Sequence, residues 1–260
     1  MSSDIISALE LDDRLIQKNF LFATKDTSSD LNFFFGDFIS HYIKKNHAVI
    51  IVNLAQSNSH YTHLLVKSGL NIKIVRDRQK VVFVDAILEA GNLIESVIQC
   101  ESTDLFNSLT KDCHDTNCLK SLYESIKKAV ENICSTNPDG FIIFIDEINS
   151  LMNLGSSLRA IQPFIQQLYT LCVKISDIPG NLLVGSIFDD IDHENKKLVS
   201  YLSHLADVKI QVEGLKTGFS KDTNGKITFE IKNKGQCTST EQKLFFKISD
   251  KGAKLLPLGV

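Results

Sequence analysis

The carboxylates Asp146 and Glu147 follow directly on the apolar run Phe141-Ile142-Ile143-Phe144-Ile145. A buried strand that ends in an acidic pair is the arrangement that holds Mg²⁺ against bound phosphates in many nucleotide-hydrolysing enzymes. That chemistry needs a second part. A glycine-rich turn, G-x-x-x-x-G-K-[ST], must follow the first strand, so that backbone N–H groups can wrap the phosphates while the lysine and the hydroxyl hold the γ-phosphate and the metal. What stands there is Ala23-Thr24-Lys25-Asp26-Thr27-Ser28-Ser29-Asp30. It has no glycine, Lys25 comes too early in the turn, and Asp26 and Asp30 occupy the place of the anion. Those carboxylates repel a triphosphate, and Asp146 and Glu147 then bind Mg²⁺ only weakly, without substrate oxygens to complete its shell. The plain alternative for Asp146 is a strand-end residue that caps the following helix or meets a neighbouring subunit.

Three other groups could do chemistry. Cys113-His114-Asp115-Thr116-Asn117-Cys118 brings two thiols and an imidazole together, but a fourth ligand and a second pair are missing nearby, so a solvated loop leading into a helix competes with a Zn²⁺ site. His60 and Tyr61 follow a strand in a short polar stretch, where they can meet a partner or an RNA base, or belong to a helix start capped by Ser57 or Ser59. Arg76 and Arg78 precede a further strand, as a solvated face or as a ring-interface or phosphate contact.

The elements that must position these residues alternate. Strands are expected at Asn19 to Ala23, Val49 to Val52, Val81 to Val84, Phe141 to Ile145, Leu182 to Ile187 and Val208 to Val212. Between them, apolar residues at three- and four-residue spacing mark helices over Leu31 to Lys45, Ser59 to Ser68, Leu119 to Ile133, Leu158 to Cys172 and Lys197 to His204. Near-continuous apolar strands separated by helices imply a mostly parallel sheet covered on both faces. From Gly218 onward the pattern is antiparallel, with Asn224-Gly225 read as a hairpin turn, strands near Ile227 to Ile231 and Leu244 to Ile248, and Asp250-Lys251-Gly252 leading to a last short strand. This divides a single expected domain into an N-terminal segment (1–18), an α/β core (19–216) and a C-terminal β extension (217–260). Weak periodicity from Asn92 to Asn117 suggests a helix and a flexible loop.

Composition narrows the function classes. A formal charge of -3, from 28 Lys and Arg against 31 Asp and Glu, provides no global basic field, so any polyanion contact must be local. No apolar run approaches a membrane span, and the start MSSDIISALELDD is acidic where a signal peptide is basic. Six scattered cysteines without paired spacing fit reduced thiols. A cytoplasmic or nuclear protein is expected.

Two motifs resemble a known family. Gln56-Ser57-Asn58-Ser59-His60-Tyr61 and, above all, Val212-Glu213-Gly214-Leu215-Lys216-Thr217-Gly218-Phe219-Ser220-Lys221-Asp222-Thr223-Asn224-Gly225 look like the sixth subunit of the Elongator complex, with Arg76-Asp77-Arg78 as a weaker companion. The likeness runs over nearly the whole chain in element order and motif position. It implies a RecA-like fold with degenerate nucleotide-binding motifs and no cofactor. The chain would be a non-catalytic member of a heterohexameric ring, with two copies each of this subunit and the related fourth and fifth subunits. That ring binds tRNA and joins the larger assembly that modifies wobble uridines. Its interface candidates are His60, Tyr61, Arg76, Arg78 and Asp146. In RecA-like rings the loops after the fourth and fifth strands face the channel, here Asn153 to Arg159 and Phe188 to Lys197, which makes Arg159, Lys196 and Lys197 the candidate RNA contacts. Gly214 and Gly218 most simply permit tight backbone turns. A residual RecA-type NTPase, to which the retained acidic pair would belong, and an adaptor without RNA contact are the competing readings.

Overall fold

Strands that are apolar on both faces need cover on both sides, and the chain supplies it by burying alternate residues of such strands in opposite layers, as Phe20 and Phe22 do on one side and Leu21 and Ala23 on the other. The structure, a computed structural model, describes residues 5, 19–71, 73, 75, 79–86, 119–136, 138–174, 178–215, 218, 220–233, 238–249 and 252–257. Its sheet comprises β1 (Phe20–Lys25), β2 (Ala48–Asn53), β3 (Val81–Asp85), β4 (Phe141–Ile145), β5 (Gly180–Ile187), β6 (Val208–Gly214), β7 (Gly225–Lys232), β8 (Ser239–Ser249) and β9 (Gly252–Pro257). They lie in the order β3-β2-β4-β5-β1-β6-β7-β8-β9. Pairing is parallel from β3 through β6 and antiparallel from β6 to β9. This is the RecA-like arrangement with an antiparallel C-terminal extension expected above.

Helices α1 (Asn32–Lys44) and α2 (Asn58–Lys67) share a layer with the extension. There Phe34, Phe38, Tyr61 and Leu65 pack on Leu21, Val49, Ile51 and Phe144, with Phe229 and Phe246 from β7 and β8. Helices α3 (Lys120–Cys134), α5 (Leu158–Lys174) and α6 (His193–Leu205) cover the opposite face. Their Ile126, Val130, Ile161, Ile165, Leu198 and Leu202 meet Phe20, Ile50, Ile143 and Leu182. Each fully buried side chain of this size contributes roughly 1.5–3 kcal/mol relative to exposure, so the two layers hold the strand ends firmly in place. A one-turn helix, α4 (Asn149–Asn153), joins β4 to α5.

Two expectations need correction. Helix α6 begins at His193, four residues before Lys197, because Asp192 is its N-cap and accepts from the Glu194 and Asn195 amides at 2.9 and 3.3 Å. Lys196 and Lys197 therefore sit on a helix. Likewise Arg159 lies in the first turn of α5. The second concerns Asn224-Gly225, which is no two-residue turn. Gly225 opens β7 opposite Gly214, so β6 and β7 are joined by residues 215–224. A side chain at position 225 would stand 2.3 Å from the Glu213 carbonyl oxygen, so this glycine serves close strand approach. Ser249 at the end of β8 pairs with Gly252 at the start of β9, the last short strand expected after Asp250-Lys251-Gly252. Cys113 to Cys118, and the segment from Asn92 to Asn117, lie outside the described residues.

Candidate functional site

In parallel sheets covered by helices, ligands bind beyond the carboxyl ends of the strands. Here the ends of β1, β4 and β5 and the turn after β2 enclose a cleft of about 60 Å³, lined by Lys25, Asp30, Asn32, Gln56, Glu147 and Ser186 among others. It has room for a few waters.

Asp146 leaves β4 and turns inward, at 5% exposure. One carboxylate oxygen accepts from the Leu54 and Glu147 amides, both at 2.8 Å. The other accepts from the Ala55 amide at 3.1 Å, the Gln56 amide at 2.9 Å and the Tyr61 hydroxyl at 3.1 Å. The amides of residues 54–56 form an anion cradle just before α2, of the kind that takes up a phosphate elsewhere. In this chain its anion is the protein's own carboxylate. Tyr61 is 1% exposed and is held edge-on by Phe144, with ring centroids 5.6 Å apart. Burial, and then the charge of Asp146, push the Tyr61 hydroxyl far above the ordinary tyrosine range, so it remains a donor.

Glu147 lines the same cleft beside Asp146 and pairs with Lys25 at 3.8 Å, each side chain about a fifth to a quarter exposed (19% and 24%). Burial raises the Glu147 carboxyl above its usual value, Lys25 opposes the rise and Asp146 adds to it. Lys25, the lysine at the end of β1, thus already has a carboxylate partner. Behind both, Asn149 accepts from the Ser186 hydroxyl and the Ile187 amide and donates to the Ile187 carbonyl, which fixes α4 to the end of β5.

The turn after β1 is occupied in the same manner. Asp26 accepts from the amide of Ser28 and from the hydroxyls of Ser28 and Ser29, and its second oxygen accepts from the Gly214 amide at 2.9 Å. Its own amide donates to the Val212 carbonyl. The turn is therefore pinned to the end of β6, and a Cβ at Gly214 would stand 2.5 Å from the Ser28 hydroxyl oxygen. Burial alone would raise the Asp26 carboxyl, but the bonds from Ser29, Gly214 and Ser28 outweigh it and hold it below the ordinary value of 3.8. A carboxylate depressed on folding contributes stability that is complete above its unfolded value and is lost as pH falls through the folded one. Acid titration of folding should therefore show a steeper loss below the ordinary carboxylate range in wild type than in Asp26→Asn. Parallel acid limbs would refute the clamp.

The expected interface residues divide. Tyr61 and Asp146 are buried and bonded to one another, whereas His60 is half-buried, its ring nitrogen Nε2 3.0 Å from the Asn32 side-chain oxygen. Ser57 is the cap of α2, accepting from the His60 amide. Arg76 and Arg78 lie outside the described residues. Of the RNA candidates, Arg159 is exposed, while Lys196 and Lys197 pair with Asp190 and Glu194 at 3.8 and 2.8 Å. Sequence reasoning missed the cradle at residues 54–56 and the clamp from Asp26 to Gly214. The spacing Asp26-x-Ser28-Ser29 is an Asx-turn pattern that could have signalled the second. Among the described residues no group of three or more His, Cys, Asp or Glu could hold a metal ion, and no helix is long and apolar enough to cross a membrane.

Comparison with known proteins agrees with the motifs. The solved structure of a KaiC-like protein from Pyrococcus horikoshii superposes with a TM-score of 0.59 over 93% of this chain and 91% of its own, at 13% identity, a likeness of fold alone. Elongator complex protein 6 of Homo sapiens is 28% identical over 245 residues, covering 90% of this chain and 89% of that protein. Its Drosophila melanogaster counterpart is 22% identical over 266 residues, covering 100% and 98%. The family described as Elongation complex protein 6 matches residues 3–250, and the chain belongs to that family.

Proposed function

We propose that this chain is a non-catalytic RecA-like subunit of the Elongator complex. It stands in a heterohexameric ring with two copies each of itself and the related fourth and fifth subunits, and it supports tRNA binding during wobble-uridine modification. The observation that carries the non-catalytic part is the state of Asp146. A metal-holding carboxylate must offer its oxygens to the cleft, and both oxygens of this one are bonded to donors of its own chain. The Lys25–Glu147 pair and the Asp26 clamp support the same reading. Membership of the family supports assembly with other Elongator subunits.

For RNA, the pairing of Lys196 and Lys197 with acids on their own surface leaves the ring's other subunits to supply most of the phosphate contacts. Each lost phosphate contact lowers the salt dependence of binding. Reconstitution with the fourth and fifth subunits tests the proposal. Native mass should correspond to two copies of each chain, MgATP should bind the isolated subunit no tighter than millimolar by calorimetry, and the ring should retain tRNA. A stable homohexamer of this chain alone, or micromolar MgATP binding to it, would overturn the reading.

A further inference from the structure

The connection between β5 and α6 carries an unusual side chain. Ile191 is 94% exposed, far more than any other exposed large apolar side chain among the described residues, and Phe188 in the same turn is 37% exposed. Leu154, just after α4 at the same end of the sheet, is 49% exposed. A lone exposed apolar residue is ordinary on a protein surface. This one stands on a turn whose backbone is built to hold it.

The Phe188 amide donates to the Lys25 carbonyl at 2.8 Å, anchoring the turn to the end of β1. The Asp189 amide donates to the side-chain oxygen of Asn195, which is itself 5% exposed and donates to the Ile187 carbonyl at 3.0 Å. Asp189 accepts from the Ile191 amide at 2.9 Å, and Asp192 caps α6. The turn therefore presents Ile191 in a fixed conformation, and burying it against a partner orders little further backbone.

The surroundings define the partner's chemistry. Asp189, Asp190, Asp192 and Glu194 flank Ile191, and the nearby Lys196 and Lys197 balance only part of that charge through their pairs with Asp190 and Glu194. A phosphate backbone is repelled there, and a branched aliphatic side chain offers no flat face for base stacking. We infer that the turn Phe188–Asp192 is a protein-docking element that inserts Ile191 into an apolar socket rimmed by lysine or arginine on a neighbouring subunit. The inference rests on the reading of this chain as a member of an assembly. It assigns one of the two segments expected to face the channel to protein contact rather than RNA contact.

The test uses the assembly reconstituted with the fourth and fifth subunits. Ile191→Asp should leave the melting temperature of the isolated chain unchanged, since the side chain is exposed, and weaken assembly by about 10- to 100-fold, the consequence of losing one buried aliphatic anchor. Asp190→Asn with Glu194→Gln should slow association and flatten its dependence on salt. With p-benzoylphenylalanine at position 191, irradiation should join this chain to another subunit at a peptide that contains apolar residues beside lysine or arginine. Wild-type assembly strength in Ile191→Asp, or cross-links only to tRNA or only within this chain, would overturn the docking element and leave the proposed function standing. Failure of the wild-type chain to assemble with those subunits would overturn both.

Discussion

Asp146→Ala is expected to lower folding stability by about 3–5 kcal/mol, because it leaves several buried donors without an acceptor at roughly 1–3 kcal/mol each. Five donors meet that carboxylate. Hydrogen bonds to a charged group contribute roughly 1.5–3 kcal/mol each in isolation, but they are far from additive where they share one acceptor. After the substitution the amides of Leu54, Ala55, Gln56 and Glu147 and the hydroxyl of Tyr61 lose their acceptor together. Part of the loss is recovered if water enters from the adjoining cleft, which keeps the estimate well below the sum. Asp146→Asn should fall between, because its carbonyl oxygen still accepts while its amide group faces donors. Urea unfolding with an unchanged slope measures the difference. A carboxylate whose task is to hold a metal would behave oppositely, its loss abolishing turnover with little change in stability. An alanine variant within about 1 kcal/mol of wild type would show that the cradle contributes nothing to the fold.

How far this was legible in the sequence depends on the range of the interaction. The parallel strands could be read because alternate residues enter two apolar layers and leave an unbroken apolar run, as in Phe141 to Ile145. The missing phosphate turn was also legible, since its absence is a local property of residues 23 to 30. The start of α6 is hidden in the sequence because Asp192-His193-Glu194 has no apolar residue to begin a helical face, and its N-cap Asp192 stands among acids that fit a loop equally well. Asn224-Gly225 departs from a two-residue turn for a different reason. Its glycine answers a strand 11 residues earlier, where Gly225 meets Gly214, and a dipeptide cannot show whether its glycine supplies a positive φ or merely space. The partners of Asp146 were invisible for the same cause at longer range, since Leu54 to Gln56 lie some 90 residues away in sequence. Local chemistry identified the carboxylate as special and left open what it is bonded to.

The second large effect belongs to Gly185, whose importance follows from the same carboxylate. In register, Ile145 on β4 stands beside Val184 on β5, so the next pair brings Asp146 against Gly185. As the chain turns from Asp146 toward α4, its backbone passes over β5, and the Ile148 amide donates to the Gly185 carbonyl at 2.9 Å. A Cβ at position 185 would stand 2.0 Å from the Asp146 carbonyl oxygen and 2.9 Å from the ring of Phe35. Backbone cannot rotate out of the way as a side chain can. Gly185→Ala must therefore shift the end of β4 and draw the Asp146 carboxylate off its cradle. The clash alone costs roughly 1–3 kcal/mol, and with part of the cradle lost the total should reach about 3–4 kcal/mol. Gly214→Ala is the control: its nearest neighbour is the Ser28 hydroxyl at 2.5 Å, the end of a rotatable side chain, and about 1 kcal/mol is expected. Because Gly185→Ala and Asp146→Ala disrupt one structure, the double variant should be less destabilised than the sum of the two by at least about 1 kcal/mol. Strict additivity would mean that Gly185 serves strand packing independently of the carboxylate, and that the close approach of β4 to β5 is not what holds Asp146 in its cradle.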